Sequence, residues 1–156
     1  MGAEIGADYD GREPILVASL KTAVVFVSDL SRALPIVHNL DFIALAGYEG
    51  NGASGRQVRL LKDLSLSING RDVLLVEDIV DTGLTLNYVA KTLLLREPAS
   101  LAAVTLLDRP YRRLCEDVPV RYVGFTVPDE FFVGYGFDLD GRWRNLPDLR
   151  LVKPAV

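Results

Sequence analysis

The chain has 156 residues, 49% apolar and 24% charged, with a net charge of −4. That length favours one domain over residues 1–156, and the composition excludes a disordered chain. An acidic balance argues against nucleic-acid binding, which needs a basic stripe.

Cys115, the single cysteine, cannot form an intrachain disulfide, and this fits a reducing compartment. The lone His38 is distant in sequence and marks no base for it, so Cys115 reads as an inert thiol. No apolar run is long enough to span a bilayer. The first residues, "MGAEIGADYDGREP", lack the basic and apolar regions of a leader, and Gly6 breaks the myristoylation pattern. A cytoplasmic protein with no membrane contact is the expectation.

"ILVAS" (15–19) predicts a short buried strand. From Ala23, residues Phe26, Val27, Leu30, Leu34 and Val37 recur at helical spacing, although Pro35 weakens the final turns. "DFIALAGY" (41–48) predicts a second strand, and "EGNGASGRQ" (49–57) a mobile loop. "VRLLKDL" (58–64) returns to a strand pattern, and "NGRD" (69–72) is a turn. "VLLV" (73–76) is apolar on both faces, as in a central parallel strand. Beyond Gly83, residues Leu86, Val89, Ala90, Leu93 and Leu94 share a helical face that ends near Pro98. "LAAVTLLD" (101–108) is another buried strand. Such alternation predicts an α/β domain with a central, mostly parallel sheet flanked by helices, whose ligands bind beyond the strands' carboxyl ends.

The chemistry concentrates in "VLLVEDIVDTGLTL" (73–86), where a strand is followed by acids and then a helix. Thr82, Gly83, Leu84 and Thr85 fall at the helix start, where free N–H groups and the helix dipole favour a phosphate. Neither a Walker A loop nor a G-x-G-x-x-G turn is present, so a nucleoside triphosphate or dinucleotide is not implied. The adjacent carboxylates Glu77 and Asp78 suit a diol or a hard cation such as Mg²⁺. Asp81 could act as a general base, or it could merely cap the helix. The basic cluster "YRRLCE" (111–116) more often means a solvated face than a phosphate groove.

The 73–86 stretch resembles the phosphoribosyl pyrophosphate (PRPP) signature of the type I phosphoribosyltransferases. "LVASLKTAVVFVSDLSRAL" (16–34), "LLDRPYRR" (106–113) and "YVGFTVPDEFFVGYGFDLDGRWRNLP" (122–147) extend the likeness to the hypoxanthine-guanine branch, in order over about residues 7 to 150. The resemblance implies that family's fold with a small C-terminal hood. It also implies purine salvage by transfer of 5-phosphoribosyl from PRPP to N9 of hypoxanthine or guanine, with a homodimer or homotetramer as the assembly. On the matching positions, Glu77 and Asp78 would hold the ribose hydroxyls and Mg²⁺, and Asp81 to Thr85 the 5′-phosphate. Asp81 would be the base near purine N7. Lys21, Thr22 and Arg144 would clamp pyrophosphate. Arg109 would meet the purine, Phe131 would stack on it, and Phe132 to Asp138 would read its exocyclic position, with Asp138 binding a second Mg²⁺.

Four departures from the pattern stand out. Thr22 replaces a glycine beside a peptide that the family often holds cis. Gly47-Tyr48 replaces Ser-Tyr in the mobile loop. Arg109 replaces a purine-contacting lysine, which opens a xanthine-preferring alternative. The segment before "IGADYDG" (5–11) is shorter than usual, which implies weaker subunit packing. From another class, the alternative is a PRPP- or nucleotide-sensing regulator without turnover.

Overall fold

The structure is a computed structural model that describes residues 1–48 and 57–152. A short helix α1 (Gly2–Asp8) leads into strand β1 (Ile15–Leu20), helix α2 (Ala23–Ala33) and the β2 (Asn39–Tyr48) and β3 (Gln57–Lys62) pair. Strand β4 (Asp72–Val80), helix α3 (Leu84–Leu94), β5 (Ser100–Asp108) and β6 (Val120–Thr126) follow, then the short strands β7 (Phe131–Val133) and β8 (Arg150–Val152).

The main sheet runs β3-β2-β1-β4-β5-β6, and only β3 is antiparallel to its neighbour. β1 and β4 are adjacent in space but lie on opposite sides of the point where the chain reverses its direction of travel across the sheet. A crevice opens between the carboxyl ends of two such strands, which is where α/β sheets bind ligands. Two apolar layers sandwich the sheet. Leu16, Ala18, Leu74, Val76 and Val104 face α2 on one side. Ile15, Val17, Val73, Leu75 and Ala103 face α3 on the other. This is the two-sided burial that the "ILVAS" and "VLLV" runs imply.

Three elements differ from the sequence expectation. α2 stops at Ala33 because Leu34, the residue before Pro35, is extended at φ −82°, ψ 123°. Val37, expected on the helix's apolar face, is consequently 71% exposed. On α3, Leu94 is exposed while Leu93 is buried, so the apolar face ends one residue early. β4 runs on to Val80, pairing Glu77 with Thr105 and Val80 with Asp108, so Glu77 and Asp78, expected after the strand, lie on it, and Asp81 follows its last residue.

β7 and β8 form a separate two-stranded sheet, the hood. It packs on the α2 side through Phe132, Tyr135, Phe137 and Leu149. Its tight path needs a left-handed backbone at Tyr135, Asp140 and Trp143 as well as at glycines. The expected mobile stretch 49–57 lies outside the described residues except for Gln57, which opens β3.

Candidate active site

β4 delivers the acids. Strand alternation turns Glu77 inward, where it is 6% exposed, and Ser19 on β1 donates to its Oε1 at 2.7 Å. Burial, then the neighbouring Asp78 charge, push the Glu77 carboxyl up to about 8, against the opposing pull of Ser19. Asp78, partly exposed, is pushed up to about 6, chiefly by burial and less by Asp138, against backbone N–H groups and Arg144. Two adjacent acids held above their ordinary range, both with hard oxygen donors, form an arrangement that a divalent cation would relieve. Asp138 does not join them. It pairs with Arg144 at 2.7 Å and accepts from the Gly141 N–H, and no cluster of three metal-ligating side chains forms among the described residues.

The strand then breaks into the turn that starts α3. Gly83 sits at φ +79°, a left-handed conformation that a side chain would strain. A Cβ there would also stand 3.0 Å from the Cys115 sulfur and 3.2 Å from Cδ of Arg113. The first N–H of α3, on Leu84, reaches Thr82 Oγ1 at a long 3.4 Å, and the Asp81 carboxylate accepts from none of the α3 N–H groups, so Asp81 is not the helix cap that one reading allowed. The carbonyls of this turn are held from outside instead. Leu114 donates its N–H to Thr82 at 2.9 Å, and Arg113 Nη1 donates to Val80 and Asp81 at 2.8 and 2.6 Å. Apart from this weak contact of Leu84, the N–H groups at the start of α3 remain available to an anion.

Asp81 faces two guanidiniums, with Nε of Arg112 at 3.1 Å and Nη1 of Arg109 at 3.8 Å from its Oδ1. Both arginines also pair with Asp129, at 2.5 and 3.7 Å respectively. The expectation that 111–116 is a solvated face holds for Tyr111, Arg112, Leu114 and Glu116, which are exposed. Arg113 is half-buried and holds the turn before α3 from behind, while Arg112 reaches the Asp81 carboxylate from the surface. In sequence, the signal that could have found them is an arginine pair a few residues beyond a buried strand that ends in Asp108, to which Arg113 is bonded. Ser19 carried no comparable signal, because its importance depends on β1 lying beside β4.

At the far wall, Arg144 gathers residues distant in the chain. Its Nη1 donates to Thr22 Oγ1 at 2.9 Å and to the Gly136 carbonyl at 2.7 Å. The Leu20–Lys21 peptide is cis, with Thr22 in place beside it. Lys21 itself is exposed. Arg109 is 9% exposed, donates to the Glu130 carbonyl and lies 5.8 Å from the Phe132 ring centre. Phe131, half-exposed, stands at the start of β7. Gly47 and Tyr48 close β2, paired with Val58 and Gln57.

An open cleft of about 780 Å³ is walled by the β1 end with Thr22 on one side and by Glu77 through Leu86 on the other; Lys21, Arg109, Phe131, Phe132, Asp138 and Arg144 do not line it. It is roomy enough for a phosphorylated sugar. Its chemistry is also divided suitably, with acids at the strand end and free N–H groups at the helix start.

Comparison with known proteins agrees with this geometry. Residues 2–140 match the model of the phosphoribosyl transferase domain. The chain is 43% identical over its whole length to the hypoxanthine-guanine phosphoribosyltransferase of Mycobacterium tuberculosis, covering 80% of that protein. It is 48% identical to the hypoxanthine phosphoribosyltransferase of Salmonella typhimurium, over 94% of this chain and 83% of that one. The crystal structure of a hypoxanthine-guanine phosphoribosyltransferase from Bacillus anthracis superposes with a TM-score of 0.91 at 40% identity, covering 97% of this chain and 89% of the other. Sequence, topology and cleft converge, and the chain belongs to the phosphoribosyltransferase family, in its hypoxanthine-guanine branch.

Proposed function

We infer that this protein is a purine-salvage transferase moving 5-phosphoribosyl from PRPP to N9 of hypoxanthine or guanine, giving IMP or GMP and pyrophosphate. The observation that carries this reading is the continuity from Glu77 and Asp78 on β4, through the left-handed turn at Gly83, to the uncapped start of α3 along one cleft wall.

The residue roles follow from that wall. The 5′-phosphate would sit on the N–H groups and hydroxyls of residues 82–85, stabilised by the α3 dipole. Glu77 and Asp78 would take the ribose hydroxyls, and their hard carboxylate oxygens suit Mg²⁺ carried in with PRPP. Held there, Mg²⁺ would neutralise charge on the pyrophosphate leaving group. Lys21, Thr22 and Arg144 would receive pyrophosphate from the opposite side. For Asp138 to bind a second Mg²⁺, it must exchange its Arg144 partner for the metal.

Asp81 would act as the general base. As N9 bonds to C1′ and the C1′–oxygen bond to pyrophosphate breaks, positive charge spreads over the purine and its N7 proton becomes acidic. A carboxylate beside N7 accepts that proton. Arg109 and Phe132, which lie against each other, would bound the purine on the hood side, with Phe131 stacking. We further propose cytoplasmic localisation and a homodimer or homotetramer, with no nucleic-acid or membrane partner. The described helices include none long and apolar enough to cross a membrane.

The direct test supplies PRPP, Mg²⁺ and each of hypoxanthine, guanine, xanthine and adenine, and measures the nucleotide formed. Hypoxanthine and guanine should be converted, and failure with every base overturns the reading. Asp81→Asn should lower turnover by about 10²-fold or more while leaving PRPP affinity within about twofold, because the amide keeps the shape but not the base. Equal loss of turnover and affinity would make Asp81 structural only.

A further inference from the structure

The purine and phosphate residues leave two charged side chains unassigned, Arg112 and Asp129, which complete a four-membered cluster with Asp81 and Arg109. Arg112 belongs to the 3-10 turn after β5, and Asp129 to the turn between β6 and β7 that leads into Phe131 and Phe132. Within the cluster, Asp81 Oδ1 is covered and has no hydrogen bond of good geometry, although Nε of Arg112 lies only 3.1 Å away. The Asp81 side chain as a whole remains 34% exposed. Its open surface therefore excludes Oδ1, and Oδ2 is the carboxylate oxygen free to face the cleft.

We propose that Arg112 is a positioning residue, holding Asp81 Oδ1 aside so that Oδ2 is presented to the purine, and bracing this orientation against Asp129. The proposal rests on the reading of Asp81 as the base. Arg112 does this better than a lysine could, because a guanidinium has separate donors for separate acceptors: Nε faces Asp81 while Nη1 donates to Asp129 at 2.5 Å. Arg109 cannot substitute for it. Its Nη1 is 3.8 Å from Asp81, its Nη2 is spent on the Glu130 carbonyl, and its Nε has no partner. Arg113 grips the Asp81 carbonyl, not the carboxylate, and its other end is bonded to Asp108. Hence, among the described residues, Arg112 is the nearer guanidinium to the carboxylate, and through Asp129 it is linked to the turn that leads into Phe131 and Phe132.

The test compares Arg112→Ala, Arg112→Lys and Asp129→Asn in kcat and in KM for PRPP, each made also in an Asp81→Asn background. A carboxylate free to rotate loses orientation but not chemistry, so Arg112→Ala should lower kcat about 10- to 100-fold with KM for PRPP within about twofold. Arg112→Lys should recover only part of this loss. Asp129→Asn should give a smaller decrease that does not multiply with Arg112→Ala, since both act through one strut. In the Asp81→Asn background Arg112→Ala should change kcat less than twofold. An unchanged kcat in Arg112→Lys and Arg112→Ala overturns the proposal, as does an equal loss with and without Asp81. If instead Asp81→Asn alone turns over normally, the assignment of the base fails first, a distinguishable result. Circular dichroism and thermal melting establish that each variant is folded.

Discussion

Gly83 and Gly70 share a left-handed backbone, at φ +79° and +67°, but differ in surroundings. A Cβ on Gly70 would meet nothing within 4 Å, whereas one on Gly83 would press on Cys115 and Arg113. The conformational penalty of alanine in this region is about 1–2 kcal/mol at either position. Gly70→Ala should therefore cost about that much in urea-measured stability and leave PRPP binding unchanged. Gly83→Ala should cost at least as much and in addition weaken PRPP binding by about tenfold or more, because Arg113 holds the phosphate turn and would be displaced. Calorimetric titration with PRPP and Mg²⁺ compares the two, and equal affinities would detach the turn from phosphate binding. The need for glycine at residue 83 was legible in the sequence, from its place between a buried strand and an amphipathic helix. The grip of Arg112 and Arg113 was not, because an arginine's target depends on which loops meet across the sheet edge, and chain order does not record that.

At the scale of elements, apolar periodicity located each parallel strand from β1 to β5 and both long helices, since two-sided burial leaves continuous apolar runs. It failed at boundaries decided by something else: Leu34 before Pro35 for α2, and backbone pairing with β5 for the extension of β4. β6 gave little signal because much of it is solvent-facing, with Val123 and Phe125 exposed. Asp41, a buried residue of β2, breaks the apolar pattern for a structural reason. Its carboxylate accepts the N–H groups of Phe42, Ser65 and Leu66 at 2.8, 2.7 and 2.8 Å, and so folds the segment after β3 back on the sheet. Burial raises its pKa, but those donors and Lys62 outweigh burial and hold it below the ordinary range. A depressed folded pKa stabilises above the unfolded value, about 3.9, and that contribution is lost as pH falls through the folded value. Asp41→Asn should lower stability by about 1–3 kcal/mol at pH 7. The deficit relative to the unsubstituted protein should shrink as pH drops below about 3.9. Urea unfolding across pH 7 to 3 checks this, and a deficit independent of pH would show that the charge of Asp41 contributes nothing.

For the molecule as a whole, the resemblance in residues 122–147 identified the hood, but its internal path could not be read, because Tyr135 and Trp143 adopt left-handed backbones that their residue types disfavour. Such a segment keeps its shape only where the rest of the molecule holds it. Apolar contacts of Phe132, Phe137 and Leu149 with the core supply part of that hold. Two polar struts supply the rest, the Tyr135 hydroxyl donating to Asp29 on α2 and Arg144 donating to Thr22 at the end of β1. Gly136 shows how closely the bodies meet there, since a Cβ on it would lie 2.3 Å from the Thr22 carbonyl oxygen. Arg144 thus serves the proposed pyrophosphate clamp and the attachment of the hood together. Arg144→Ala should remove about 1–1.5 kcal/mol of local stability, discounted for partial exposure. Amide exchange across residues 131–152 should quicken about tenfold while β1, β4 and β5 are unaffected, because local opening is measured separately from global unfolding. KM for PRPP should rise in the same variant. Arg144→Lys should keep more of the PRPP affinity than of the exchange protection, since an ammonium supplies charge to a phosphate but cannot span Thr22, Gly136 and Asp138 as the guanidinium does. If Arg144→Ala leaves hood exchange unchanged, the apolar contacts alone hold the hood and Arg144 is confined to the ligand.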